Sequence, residues 1–248
     1  MSEPSAVVVG ASSGVGRALA EGLARAGYAL VLAARDARDL EATAAHLRLR
    51  FDRPVFAKPL DLGDASFDAE KFCLECVDAL GGVDAFFLTA AEIDPADSGF
   101  TGSATARRLL SVNFAAPLEL LSGFGRHLEE RGRGWLVVFS SIAAAAPRGR
   151  NVVYSATKAA LETYCAGIRH HLASTGVRVQ VYRLGYVDTS MSFGQKLLLP
   201  PVPPERVARH VLRNLRKDRG LVYYPRYWSL LLWVLDRLPW FVYKKLRF

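Results

Sequence analysis

Tyr154 and Lys158 stand four residues apart in a stretch whose pattern predicts a helix, so both side chains belong to one face. A free phenol, with a pKa of about 10, carries protons poorly at neutral pH, and an ammonium beside it favours the phenolate. So placed, the tyrosine can give its proton to a developing alkoxide, or take one in the reverse direction. Ser141, thirteen positions earlier at the end of an apolar run, can donate to the same oxygen. Asn113 lies inside a preceding helical stretch. Through its side chain or a locally disturbed backbone it can hold a water against Lys158 and extend a proton path to solvent. Singly, these residues also fit plain roles: a packing tyrosine, a capping serine, an asparagine on a helix surface. Jointly they describe acid–base chemistry at a carbonyl or an alcohol.

That chemistry needs a hydride source, and Val7–Gly16 (VVVGASSGVG) fits one. A strand meeting a helix through such a turn gathers backbone N–H groups and the positive end of the helix dipole where a pyrophosphate can sit. Gly10 permits the turn, Gly14 the close approach and Gly16 tight helix packing, with Val15 between them. Ser12 and Ser13 add hydroxyl donors. The spacing is Gly-x-x-x-Gly-x-Gly and not the commoner Gly-x-Gly-x-x-Gly. The second strand ends Leu32-Ala33-Ala34-Arg35, leaving the usual acidic position empty and offering a forked donor to a ribose 2′-phosphate. NADP(H) is therefore expected over NAD(H). Asp61 can accept from the adenine amine and Leu62 can pack beside the ring.

The elements that must position these groups alternate. Apolar strands are expected near 6–10, 28–33, 55–59, 83–89, 135–140 and 177–182, with helices near 15–26, 37–50, 67–79, 104–130 and 153–174 between them. This alternation predicts an α/β fold, a Rossmann-type doubly wound parallel sheet with helices on both faces. A loop or short helix covers 190–204, a helix follows at 205–216 and a strand at 221–224. One catalytic and cofactor-binding domain is expected over 1–224, with a substrate lid at about 186–204 and a basic aromatic tail at 225–248.

Composition bounds the partners. At 248 residues and 51% hydrophobic, the chain can bury one large core. Three cysteines suit a reducing compartment, and the Cys73–Cys76 pair lacks a second pair to complete a zinc site, so no metal is expected. Residues 205–248 hold 11 Lys/Arg against 3 Asp/Glu, which accounts for the whole formal charge of +8. No recognition module accompanies that basicity, so nucleic acid is not an expected partner. Nothing at Met1–Ala6 reads as a leader and no run of about 18 apolar residues occurs. The expected location is cytoplasmic, or peripheral at a membrane surface.

With GASSGVG at 10–16, Asp61-Leu62, Asn113, Ser141, Tyr154-Ser-Ala-Thr-Lys158 and RLGYVDT at 183–189, the chain resembles a classical short-chain dehydrogenase/reductase over about residues 6–215. By this resemblance Asn113, Ser141, Tyr154 and Lys158 map onto the family's catalytic tetrad. Lys158 would also bond the nicotinamide ribose, and Val187 and Thr189 match positions that approach the carboxamide. The resemblance implies NAD(P) without a metal, and a homodimer or homotetramer built through the helices at 104–130 and 153–174. Three positions depart from the family pattern. Val9 replaces a Thr, Leu88-Thr89-Ala90-Ala91 replaces Asn-Asn-Ala-Gly, and Leu184 replaces a Pro. None removes a catalytic group, but support beside the adenine must be built differently.

The substrate wall is expected from Ile93–Gly102, Ile142–Arg150, Tyr186 and Met191–Leu199, with Phe193, Leu197, Leu198 and Leu199 as an apolar cover and Arg148 or Arg150 as single charges. In the tail, Tyr227, Trp228, Leu230–Leu235, Trp240 and Phe241 lead to Lys244, Lys245 and Arg247. Such a mixture fits an interfacial anchor, or packing over the pocket or a neighbouring subunit. The leading reading is reduction of an apolar, lipid-like ketone, by resemblance to tail-bearing 3-ketosphinganine reductases. The alternatives are oxidation of a steroid, retinoid or small alcohol, and a non-catalytic NADP-binding scaffold.

Overall fold

The computed structural model describes residues 3–194 and 197–246; Met1, Ser2, Gln195, Lys196, Arg247 and Phe248, which fall in the expected lead-in, lid and tail, lie outside them. Seven parallel strands form one sheet in the order β3-β2-β1-β4-β5-β6-β7. They are β1 (Ser5–Val9), β2 (Ala29–Ala34), β3 (Val55–Pro59), β4 (Ala85–Leu88), β5 (Arg133–Ser141), β6 (Gly176–Leu184) and β7 (Gly220–Tyr224). Strands β2 and β4 are apolar at every position, and β1 after Ser5, because both faces are covered. Val7, Val9, Val31 and Ala33 face one core, with α3 (Ala69–Leu80), α5 (Ala116–Glu130) and α6 (Val152–His171). Ala6, Val8, Leu30 and Leu32 face the other, with α1 (Gly14–Arg25), α2 (Ala37–Phe51) and α7 (Pro204–Asn214).

This is the doubly wound arrangement expected from the strand–helix alternation. The chain leaves β1 and β4, neighbours in the sheet, in opposite senses, and such a reversal opens a crevice at the carboxyl ends of the strands.

One element differs from expectation. The helix expected over 104–130 is α4 (Ser103–Leu110), a π-helical turn at Ser111–Ala115, and α5. Pro117 accounts for the break, since it has no N–H for the carbonyl of Asn113 four residues back, and its ring crowds that carbonyl. The residue singled out for chemistry thus sits in the disturbed turn.

The chain beyond β7 folds back onto the domain. Helix α8 (Tyr227–Asp236) packs Trp228 and Leu232 against Ile142, Ala146, Tyr186 and Leu199. Pro239 then precedes a single turn, α9 (Trp240–Tyr243).

Candidate active site

At the end of β1 the backbone takes positive φ at Gly10 (95°) and Gly14 (51°), the left-handed region that favours glycine. A Cβ on Gly16 would lie 2.1 Å from the Gly10 carbonyl oxygen, and one on Gly14 2.9 Å from Thr189 Cγ2. The turn is therefore packed as tightly as glycine allows. Helix α1 opens from Ser13 with no side-chain cap and no acid in its first turn, which leaves its N–H groups and dipole turned outward. Ser12, Ser13, Val15, Val187 and Thr189 line the same cleft, whose volume is about 530 Å³. An uncapped N-terminus over a glycine cradle, in a crevice of that size, fits a dinucleotide. Thr89 donates to the Val9 carbonyl at 2.8 Å, so the rebuilt support beside the turn ties β4 to β1.

At the other end of the turn, Arg35 donates to Glu92 at 2.7 Å. Glu92 also takes Arg108, at 2.7 and 3.0 Å, and Arg108 reaches Asp61 at 3.4 Å. Asp61 Oδ1 accepts from the Gly63 N–H at 2.9 Å, and Leu62 is buried beside it. Arg35 lies at the expected edge of the cleft, but as one member of an ion-pair cluster that its neighbours in sequence do not announce.

At the chemical end, Tyr154, Lys158 and Ser141 line one wall. Burial pushes the Tyr154 hydroxyl up to about 12, with a hydrogen bond to Ser141 pulling the other way. The Lys158 ammonium lies 5.9 Å from the Tyr154 ring centre and donates to the Phe139 carbonyl at 3.1 Å. Burial pushes Lys158 itself down to about 8. Desolvation is the largest influence on both groups in the free protein.

Asn113 is fully buried, which excludes a helix-surface role. Its side chain accepts from the Glu92 N–H at 2.9 Å and donates to the Glu92 carbonyl at 2.8 Å. Each end of the amide thus makes one bond to Glu92, and the backbone around it is that of the π turn.

Sequence reasoning missed Asp97. Its carboxyl group, 1% exposed, accepts from the N–H groups of Val153 and Tyr154, both at 2.9 Å, and from the Thr101 hydroxyl at 2.8 Å. Its carbonyl takes the Asn151 N–H at 2.7 Å. Asn151, at the N-cap of α6, has φ 57° and supplies no side-chain cap, so the cap comes from a loop more than fifty residues away. Asn151 is a residue type that commonly caps a helix, so the sequence carries no signal that the cap comes from elsewhere.

On the opposite rim, Gly185 is required by the tail. A Cβ there would stand 1.9 Å from Trp228 Nε1, so the indole lies flush on the loop that carries Val187 and Thr189. Cys73 and Cys76 are buried with thiols pushed up to about 12, which makes them inert packing groups.

A family model described as short chain dehydrogenase matches residues 4–196. An uncharacterized oxidoreductase of Mycobacterium tuberculosis is 32% identical over 242 residues, 97% of this chain and 96% of that protein. A short-chain dehydrogenase from Sphingobium yanoikuyae, solved in complex with NADPH, has a TM-score of 0.82 at 26% identity, with 98% of this chain and 96% of that one covered. An alcohol dehydrogenase from the archaeon Thermococcus sibiricus, complexed with 5-hydroxy-NADP, gives 0.76 at 27%, covering 89% and 95%.

Proposed function

The chain belongs to the short chain dehydrogenase family, oxidoreductases that work with NAD(P)H, and from that premise we propose that it reduces an apolar ketone to a secondary alcohol with NADPH. The observation that carries the reading is the meeting of Tyr154, Ser141 and Lys158 on one wall of the cleft that the glycine turn opens.

When bound, the reduced nicotinamide supplies the hydride. Gly10, Ser12, Ser13, Gly14, Val15 and Gly16 would hold its pyrophosphate, Asp61 and Leu62 its adenine, and Val187 and Thr189 its carboxamide. Arg35, turning from Glu92, would take the 2′-phosphate. Ser141 donates to the substrate oxygen and fixes it beside the Tyr154 hydroxyl, which gives up its proton as negative charge develops there. Lys158 would bond the ribose and pass a proton toward Tyr154 from water held at the Asn113 backbone.

Ile142, Ala143, Tyr186 and Met191 give the cleft apolar lining near the chemical end, which supports an apolar substrate. Assembly as a homodimer or homotetramer through the outer faces of α4, α5 and α6 belongs to the same reading, as does peripheral contact with a membrane through 225–248. The test is a panel of ketones graded by chain length, assayed with NADPH. Turnover rising with apolar length supports the proposal. A folded protein that binds NADPH and reduces none of them overturns it.

A further inference from the structure

Helix α8 is apolar on two sides. Trp228 and Leu232 point inward and are 3% and 5% exposed, sealing the rim of the cleft against Ile142 and Tyr186. At helical spacing the opposite side carries Tyr227, Leu230, Trp233 and Val234, and Leu230 and Trp233 are 65% and 54% exposed. A surface helix ordinarily turns polar residues outward, so this second side asks for a partner.

The apolar surface continues beyond α8. Trp240 and Phe241 on α9 are 72% and 63% exposed, while Tyr243 anchors that turn by donating to the Pro147 carbonyl at 2.7 Å. Phe193 and Leu198, on the loop covering the same cleft, are also exposed. Cations frame this surface. Arg226 and Arg237 flank α8, and Lys244 and Lys245 follow α9, against one acid, Asp236, within 225–246. Arg237 sits 4.1 Å above the centre of the Trp233 ring, so charge and aromatic surface are presented together.

Two occupants fit an exposed apolar face, and charge separates them. A two-fold contact with a second copy sets the same patch against itself and brings these four cations toward their own counterparts. An anionic lipid surface takes the rings at headgroup level and the cations at the phosphates. The ten residues of α8 extend about 15 Å, half of a bilayer's hydrocarbon core, and no helix among the described residues is long and apolar enough to cross a membrane.

We propose that the outward side of α8 and α9 lies in the plane of an anionic lipid surface and seats the mouth of the cleft on it. This rests on the reading of the substrate as apolar and deepens it: the ketone passes from lipid into the mouth of the cleft beside α8 without crossing water.

The test is co-sedimentation of the full chain with phosphatidylcholine vesicles, with and without phosphatidylglycerol. Two variants accompany it, Leu230→Asp/Trp233→Ser and Lys244→Glu/Lys245→Glu, with melting and light scattering followed in parallel. The wild type binds the anionic vesicles, and each variant binds at least about tenfold more weakly with unchanged melting and unchanged NADPH-linked turnover of a water-soluble ketone. Wild type that sediments with neither vesicle overturns the proposal. So do variants that leave vesicle binding intact and instead convert an oligomer to monomer, which would assign the face to a second copy. Failure of the wild type to turn over any ketone would count against the reductase reading alone and leave the vesicle result standing.

Discussion

The carboxyl group of Asp97 accepts a hydrogen bond from the backbone N–H of Tyr154 at 2.9 Å, so the helix that presents the candidate acid is fastened at that residue by the loop between β4 and α4. The same loop pairs with the strip before α6, through the Gly99 N–H to the Gly149 carbonyl at 2.9 Å. The position of the Tyr154 ring is thus set by two loops that also line the way in.

Replacing Asp97 with Ala leaves two buried N–H groups and a hydroxyl without an acceptor, and should cost about 2 to 4 kcal/mol of stability. Asp97→Asn keeps one acceptor and turns an NH2 toward an N–H, so it should fall between. Denaturant melts give the stability, and kcat against NADPH affinity gives the positioning. We expect kcat to drop while NADPH binding holds; equal losses in both would reduce Asp97 to a purely structural cap.

Arg35→Ala removes the basic group that directly follows β2 and should weaken NADPH about tenfold or more, leaving NADH unchanged. Separate titrations with the two cofactors decide it. Loss of both equally, or of neither, would show that the ion pair with Glu92 is the whole of its role.

Lys158 is held at about 8 by burial, against 10.5 when solvated. Between those values the unfolded chain carries a proton that the folded chain has released, so this group's contribution to stability rises with pH. Below about pH 8 the folded chain retains a buried ammonium, at a cost of about 3 kcal/mol. Any stability advantage of Lys158→Met over wild type at pH 7 should shrink by about that amount as pH approaches 10.5, although turnover is lost at every pH. An advantage independent of pH would contradict the assignment.

Gly185→Ala places a methyl group where the Trp228 indole lies, and should free α8 from the rim. Trp228→Ala makes a cavity instead, costing about 3 to 5 kcal/mol. Made together, the two changes should cost less than their sum, because the second removes the clash created by the first. Strict additivity would mean that the tail and the cofactor loop are uncoupled.

What could be read in advance was whatever the chain encodes locally. Val7–Val9 and Leu30–Ala33 are uninterrupted apolar runs because each strand is covered on both faces, and the turn at Gly10–Gly16 and the four-residue step from Tyr154 to Lys158 follow from backbone geometry alone. What escaped depends on partners distant in sequence. Asp97 caps a helix more than fifty residues on, and Glu92 gathers Arg35 and Arg108 from separate elements. Pro117 did mark the break in the helix, but the apolar periodicity on either side of it masked the signal.

The central claim is that the Tyr154 hydroxyl is the proton donor, and Tyr154→Phe tests it with the loss of one oxygen atom. Turnover of the best ketone with NADPH should fall by about 10² to 10⁴ while melting and NADPH affinity stay at wild-type values. A folded Tyr154→Phe protein that reduces the ketone at close to the wild-type rate would contradict the account.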